Sequence, residues 1–224
     1  RRTFGFYRVE IFASGLAVLI MLGMGVYVLV EALRRLGADA PVATGTMLVV
    51  GTVGLVVNLI SLVLLRSGSA ESLAVRGAYL EVLADAAGSV GVIVAAVLMQ
   101  ATGWVVWDLV VAVAIAVFIL VRAVILGRQV LSVLAQHAPP GVDPAEVEAD
   151  LGAMADVLEV HDLHLWTLTS GMDVGTVHLV VDPRTDHARV LGDARRILSS
   201  RHGIEHITVQ IESDGLVACR DLGW

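Results

Sequence analysis

Two carboxylates stand in an otherwise apolar part of the chain. Glu81 and Asp85 are four residues apart, and this spacing puts both side chains on one face of a helix. A helix entering a bilayer near Arg76 would carry them about 7 Å and about 13 Å deep, at roughly 1.5 Å per residue. Two neighbouring acids at that depth do not both stay charged without a cation or a shared proton. The pair predicts a divalent cation site. The alternatives are a structural polar contact to another helix and a span that begins later in the sequence than predicted.

A second set of possible metal ligands lies in the C-terminal part, since all seven histidines occur at or beyond His137. Side chains alternate between the two faces of a strand, so the predicted last strand would turn its polar residues away from the core. With the middle strand, the open sheet face would then hold His178, His206, Gln210 and Glu212. Mixed imidazole and carboxylate ligands suit zinc and similar divalent metals, and ordinary solvated histidines are the alternative.

His161 and His164 are three residues apart in the predicted first strand. Regular alternation would place two side chains at this spacing on opposite faces of the sheet. We therefore expect that these two histidines do not chelate the same ion.

The elements that must position the carboxylates are long apolar helices. Uncharged runs cover 11–30, 42–65, 86–107 and 109–121, and about 20 apolar residues cross a 30 Å hydrocarbon core as a helix. We predict transmembrane helices near 8–34, 42–66, 73–100 and 103–127, within a membrane domain over 1–138. Arginines cluster at the N-terminus, in the second connection and at the exit of the fourth helix, where they are Arg122 and Arg128, so the positive-inside rule predicts both termini in the cytoplasm.

The chain changes character after residue 138. Residues 1–138 hold nine Arg and seven acids, whereas residues 139–224 hold six Arg and fifteen acids. Behind a Pro- and Gly-rich linker, the pattern predicts a helix over 144–154, strands over 157–169 and 174–182, a helix over 185–201 and a strand over 204–212. This αββαβ order predicts a small α+β domain over 139–224, a three-stranded sheet with two helices on one face.

The composition excludes several classes of protein. Apolar residues make up 57% of the chain, too much for a disordered protein, and the net charge of -7 has the wrong sign for a nucleic-acid binder. The single cysteine excludes an internal disulfide framework. The sequence holds no nucleophile–base pair, phosphate-binding loop or organic-cofactor motif, so we do not expect an enzyme.

Four stretches of the sequence resemble the cation diffusion facilitator family, which comprises zinc, cadmium, cobalt and manganese efflux transporters. They are TFGF at 3–6 with Arg8 and Glu10, VNLIS at 57–61, RGAYLEVLAD at 76–85 with Gly88 and Ser89, and VHDLHLWTLTSG at 160–171. The resemblance implies six membrane helices, of which the four predicted ones would be the last four. We therefore expect an N-terminally incomplete sequence, with a natural short form as the alternative.

The resemblance also implies the sites. The family usually takes a His and an Asp, four residues apart, from the helix that here carries Glu81 and Asp85, so Asp85 matches and Glu81 departs from the pattern. An oxygen ligand in place of imidazole shifts ion preference toward manganese or iron(II) without excluding zinc. The family's cytosolic domain is metallochaperone-like and binds metal at the subunit contact. The residues that match its ligands are His161, His178 and Glu212, with His206 as a further candidate.

We therefore expect a divalent metal cation exporter, an integral protein of the inner or plasma membrane. Metal ions would be both the substrate and a regulatory ligand, and protons would move in antiport. Zinc is the first expected cargo, with manganese, iron, cobalt and cadmium after it. The further expected partners are membrane lipid and a second copy of the chain in a homodimer, without nucleic acid or an organic cofactor. The alternative function is a non-transporting membrane subunit for metal binding or dimerisation.

Overall fold

The computed structural model describes residues 3–35, 43–67, 73–104 and 106–213. Contacts divide the chain into two units. Arg1–Ala17 and Ile125–Trp224 form the first unit, and Val18–Val124 form the second. The predicted start of the second span at residue 42 and the last residues of the predicted C-terminal domain, 214–224, lie outside the described residues.

Four long helices carry the apolar stretches, as the sequence predicts. They are α1 (Tyr7–Arg34), α2 (Thr44–Arg66), α3 (Leu73–Thr102) and α4 (Val106–Leu134). The shortest, α2, has 23 residues and is about 35 Å long at 1.5 Å per residue, enough to cross a hydrocarbon core. Large apolar side chains stay exposed along them, for example Leu19 at 66% and Val63 at 74%. Apolar surface of this extent belongs in lipid, so the helices identify an integral membrane protein.

The fourth helix differs most from its predicted bounds. It begins at Val106 and ends at Leu134, rather than near residue 127. The uncharged run stops at Val121, but a helix continues beyond its apolar run when one face still packs, and Val130 in the added segment is buried. Arg122 therefore lies well inside the helix and not at its exit.

Glycines let the helices of the second unit approach closely. A Cβ atom built on Gly25 of α1 would lie 2.8 Å from Leu120 of α4, and one on Gly51 of α2 would lie 3.0 Å from Ile93 of α3. Both distances are shorter than the roughly 3.5–4.0 Å at which carbon atoms pack comfortably. Small residues at these positions are therefore required for the observed helix contacts.

Gly25→Ala should destabilise the membrane helices, because the added methyl group overlaps the Leu120 side chain. We expect a lower Tm in detergent, equivalent to about 1–3 kcal/mol of overpacking. Gly23→Ala on the same helix is the matched control, since a Cβ there meets nothing within 4 Å. Equal Tm values for the two variants would show that the close approach at Gly25 does not contribute to stability.

A small α+β domain follows the helices, with the predicted order of elements. It consists of α5 (Pro144–Gly152), β1 (Val157–Thr169), β2 (Met172–Val181), α6 (His187–His202) and β3 (His206–Ser213). The sheet order is β1-β2-β3, with β1 antiparallel to β2 and β2 parallel to β3.

Both short helices pack on one face of this sheet. The buried core joins apolar residues of α5 and α6 to the strands: Val147, Leu151, Leu165, Val177, Leu179, Val181, Val190, Ala194, Leu198 and Ile204. The apolar residues of β3, Ile207, Val209 and Ile211, pack against the same core. The other face of the sheet is therefore left to the polar residues of the strands, as alternation predicts.

The ends of the short helices follow the residues that the sequence places there. Asp143 caps α5 by accepting a hydrogen bond from the Ala145 amide at 3.0 Å, with Pro144 in the first position. Asp186 caps α6 in the same way through Ala188 at 2.9 Å. At the other end of α6, Gly203 takes the left-handed conformation, with φ +69°, that favours glycine.

Asp150 ties α5 to α6. Its carboxylate accepts a hydrogen bond from Arg201 Nη1 and contacts His202 Nε2, each at 3.0 Å. The hydrogen bond from Arg201, and after it that from His202, lowers the pKa of Asp150 from its ordinary value. A carboxyl group with a lowered folded pKa stabilises the fold above its unfolded pKa, and this contribution is lost as pH falls through the folded pKa.

Asp150→Asn should make the C-terminal domain less sensitive to acid. Wild type should lose stability as pH falls below about 4, the ordinary pKa of aspartate, whereas the variant should start less stable at neutral pH and lose less. Thermal unfolding of residues 141–224 from about pH 7 to about pH 2 measures both. Asp193→Asn is the control, because in the described part of the chain Asp193 pairs within α6, with Arg196 at 3.1 Å. Parallel wild-type and Asp150→Asn profiles would contradict the assignment.

Candidate metal centres

The two predicted membrane carboxylates lie together on α3. Glu81 and Asp85 are one turn apart within the candidate span Ala78–Thr102, and their side chains are 56% and 52% exposed. The Ser89 hydroxyl donates to the backbone carbonyl of Asp85 at 3.0 Å. The carboxylate oxygens therefore remain accessible to a cation on one side of the helix.

Arg122 of α4 pairs with both carboxylates. Its guanidinium donates to Glu81 Oε1, and its Nη1 lies 3.8 Å from Asp85 Oδ1. The structural alternative for the acid pair, a polar contact to another helix, is thus present. The sequence interpretation placed Arg122 at the exit of the fourth helix, and this was wrong because the helix continues past it. A lone arginine in an apolar span indicates such a pair, since charges inside membranes find partners.

The other polar residues considered for the spans have partners elsewhere. Ser61 donates to the Val57 carbonyl of its own helix at 2.9 Å. Asp108 of α4 pairs with Arg35 at 3.6 Å, and Arg35 also bonds to Glu31 at 3.2 Å. Ser61 and Asp108 thus have partners away from Glu81 and Asp85.

Three residues on the open face of the sheet form a compact group. Ligand atoms of His161, His178 and Glu212 all lie within 4.8 Å of one another. His178 Nδ1 is 3.1 Å from Glu212 Oε1, and His161 Nε2 is 3.6 Å from Glu212 Oε2. The two imidazole rings meet edge to face, with centroids 5.3 Å apart. Two nitrogens and a carboxylate at these separations are a donor set that zinc and its neighbours accept.

The burial of this group favours a bound cation. The side chains of His161 and Glu212 are only 11% and 9% exposed. Both ring nitrogens of His161 and Oε2 of Glu212 are buried without a hydrogen-bond partner among the residues that the structure describes. Buried polar atoms left unsatisfied cost about 1–3 kcal/mol each. A metal ion would supply a partner to one nitrogen of His161 and to Glu212 Oε2.

Strand register assembles the three residues. His161 on β1 stands directly opposite His178 on β2. His178 pairs with Gln210 on β3, and Glu212 is opposite Val180 two residues further along, so Glu212 is a diagonal neighbour of His178 on the same face. The group thus takes one residue from each strand.

A β-bulge changes the face of His164. The register of β1 shifts between His161 and His164, which oppose His178 and Thr176, and Asp162 between them has φ +53°. The extra residue restores His164 to the face of His161, so the expectation that they lie on opposite faces was wrong. His164 nevertheless stays outside the group and contacts Asp162 Oδ1 at 3.0 Å.

The structure does not bring His206 to the three grouped residues. His206 is exposed and pairs with Val174 at the start of β3. It lies six residues before Glu212, about 20 Å along the strand at 3.3 Å per residue. Alternation correctly assigned the face of His206, but sharing a face does not bring the two ends of a strand together.

Glu10 makes a contact that the sequence did not predict. Its two carboxylate oxygens accept hydrogen bonds from the Thr169 and Ser170 hydroxyls, each at 2.7 Å. Both partners stand at the turn between β1 and β2, and all three residues belong to the first unit. The start of α1 is thereby tied to the sheet. Glu10 and the Thr-Ser pair are far apart in sequence, and no local pattern links them.

Comparison with known protein families covers both parts of the chain. A family model described as the cation efflux transmembrane domain matches residues 1–135. A second, described as the cation efflux protein cytoplasmic domain, matches residues 139–214. The chain belongs to the cation efflux family. This confirms the resemblance found in the sequence.

Relatives in this family cover nearly the whole chain. It is 43% identical over 213 residues to the metal cation efflux system protein CzcD of Cupriavidus metallidurans, covering 95% of this chain and 67% of the relative. Zinc transporter ZitB of Escherichia coli is 33% identical over 214 residues, with coverage of 95% and 68%. The cadmium, cobalt and zinc/H(+)-K(+) antiporter of Bacillus subtilis is 31% identical over 218 residues, with coverage of 95% and 70%.

A solved structure is also similar to part of this cation efflux protein. The metal-bound C-terminal domain of the Cupriavidus CzcD transporter is 42% identical and covers 32% of this chain and 99% of that domain, with a TM-score of 0.31. The chain spans about two-thirds of the length of the whole CzcD protein. Its relatives are named as metal cation transporters.

Zinc should raise the Tm of the C-terminal domain, because a ligand bound only to the folded state stabilises it. At a hundredfold excess over Kd the gain is about 2.7 kcal/mol, or roughly 10–20 °C for a domain of this size. Glu212→Gln should lose most of this rise. His206→Ala, at the distant end of β3, should keep it. Thermal unfolding with zinc and with chelator measures both, and an undiminished rise in Glu212→Gln would remove Glu212 from the site.

Proposed function

We propose that this protein exports divalent metal cations across the inner or plasma membrane by proton antiport. The observation that carries the proposal is the Glu81–Asp85 pair, one turn apart within an apolar span of a cation efflux protein. Carboxylates there need a cation or a proton for neutralisation, and a transport cycle can use both in turn. Zinc is the proposed first cargo, with manganese, iron, cobalt and cadmium as further substrates.

The mechanism is alternating access around the α3 carboxylates. Metal would enter from the cytoplasm, bind Glu81 and Asp85 as half of the transport site, and leave outward as helices rock around it. A proton would then replace the metal on a carboxylate and return inward. No covalent bond to the substrate forms or breaks in this cycle. The cycle needs only a site whose negative charge is neutralised first by the metal ion and then by a proton.

The C-terminal domain, residues 139–224, is the proposed regulatory and dimerisation domain on the cytoplasmic side. The membrane domain would comprise residues 1–138, with both termini in the cytoplasm. Support for a metal-binding role comes from the buried, unsatisfied nitrogens of His161 and the adjacent Glu212 oxygen. Metal bound there with His178 would lower the repulsion of an acidic domain and favour a homodimer.

The second candidate, a non-transporting membrane subunit, gains support from Arg122. Because its guanidinium already pairs with Glu81 and Asp85, the carboxylates have a purely structural partner. The two functions differ in what the removal of a carboxylate does. A structural pair would be needed for folding, whereas a transport site would be needed for flux.

Asp85→Ala in the full-length protein should abolish metal transport while the protein stays folded in the membrane. Asp85 is the deeper of the two carboxylates, and its removal leaves a single acid for a divalent ion. Zinc and manganese flux into proteoliposomes measures the effect, and size-exclusion chromatography in detergent checks folding. Glu31→Gln, in the last turn of α1, is the control and should transport normally. Wild-type flux from Asp85→Ala would refute the proposed transport site.

A further inference from the structure

We propose that Arg122 is an internal counter-ion that competes with the transported metal for the α3 carboxylates. The inference rests on the proposed transport function and assigns Arg122 a part in it. When the site holds no metal, the guanidinium would occupy the pair, as it does in the structure. When a divalent cation binds, the guanidinium would leave.

Arg122 contacts both α3 carboxylates directly. It donates to Glu81 from a neighbouring helix, 41 residues away in sequence, and its second terminal nitrogen faces Asp85 at 3.8 Å. One guanidinium thus pairs with both acids. The side chain is 29% exposed, so neighbouring groups leave it room to move.

Charge makes simultaneous occupation unfavourable. Two carboxylates and one guanidinium carry one net negative charge, which is too little to hold a divalent cation firmly. A metal ion bound by carboxylate oxygens at about 2.0–2.2 Å would stand close to the guanidinium that the same oxygens attract. Like charges at such a separation repel strongly where water is scarce. Metal binding therefore requires that Arg122 withdraws.

The guanidinium also has a partner on its own helix. Its Cζ lies 5.7 Å from the centre of the Phe118 ring, one turn earlier on α4. Cation–π attraction at this distance is favourable and does not depend on either carboxylate. The long arginine side chain can thus release Glu81 and Asp85 without losing every partner.

Competition of this kind sets how tightly the metal is held. With Arg122 present, the guanidinium returns to the carboxylates as metal leaves, which weakens binding and speeds release. Without it, the metal meets two uncompensated acids, so binding tightens and release slows. Arg122 would therefore raise both the apparent KM and the maximal rate of transport.

Zinc and manganese flux into proteoliposomes, measured over a range of metal concentrations with the full-length protein, tests the inference. Arg122→Gln should lower the apparent KM about tenfold and should also lower the maximal rate. The tenfold figure corresponds to an interaction energy between that of exposed ion pairs and that of shielded ones. Arg122→Lys keeps the charge but lacks the fork that reaches both acids, so it should shift KM in the same direction by less. Arg128→Gln removes an exposed arginine of the same helix and should behave as wild type.

The outcomes separate the possible roles of Arg122. A merely structural role would lower the maximal rate of Arg122→Gln without lowering its KM, and that result, or a raised KM, overturns the inference. If Arg122→Gln does not insert, Arg122→Lys decides, and a KM equal to that of wild type overturns the inference. Unchanged KM in the Arg122 variants with a dead Asp85→Ala would leave the proposed function standing without this inference. A wild-type protein that moves neither metal would remove both.

Discussion

A carboxylate inside a hydrocarbon layer must be neutralised, and the candidate membrane span of α3 carries two of them. An aspartate near the centre of a span costs about 2.5–3.5 kcal/mol on insertion scales, and Glu81 adds a second acid one turn away. The structure supplies Arg122 from α4 as their partner. Glycines permit the close approach of other helix pairs, Gly25 between α1 and α4 and Gly51 between α2 and α3. The α3 carboxylates, whose charge is costly in lipid, thus lie where the guanidinium of Arg122 can compensate them.

The C-terminal sheet meets the same constraint with a different outcome. There the register of three strands buries His161, His178 and Glu212 together, yet none of the described residues satisfies both nitrogens of His161 or Oε2 of Glu212 by a hydrogen bond. The α3 carboxylates are paired with Arg122, a cationic side chain of the same protein. The sheet group instead keeps ligand atoms that no described residue satisfies. The first arrangement suits a site that must release its ion. The second suits a site that retains one.

The sequence predicted the elements well because hydrophobic period and capping are local. Four apolar runs predicted four helices, and the helix ends at Asp143 and Gly203 are set by the capping preferences of these residues themselves. What it missed depends on tertiary pairing. The face of His164 is set by a bulge at Asp162, which regular alternation cannot anticipate. The partner of Glu81 lies on a helix that continues beyond its apolar run, and the partners of Glu10 are on a distant hairpin.

The candidate ligands of the sheet show the same division. Alternation placed His206 and Glu212 on the open face, but only strand register determines which of them meets His178. Register placed Glu212 diagonal to His178 and left His206 opposite Val174, about 20 Å from Glu212 along β3. Strand pairing joins residues far apart in sequence, so composition and spacing gave the ligand types without giving the site.

The most direct test of this account is a structure of the full-length protein with zinc, with the metal located by its anomalous scattering. The account predicts a metal peak about 2.0–2.2 Å from carboxylate oxygens of Glu81 and Asp85, with the Arg122 guanidinium withdrawn from both and nearer to Phe118. A second peak should lie between His161, His178 and Glu212. Metal in the sheet alone, with Arg122 still paired to both α3 carboxylates at saturating zinc, would contradict the central claim.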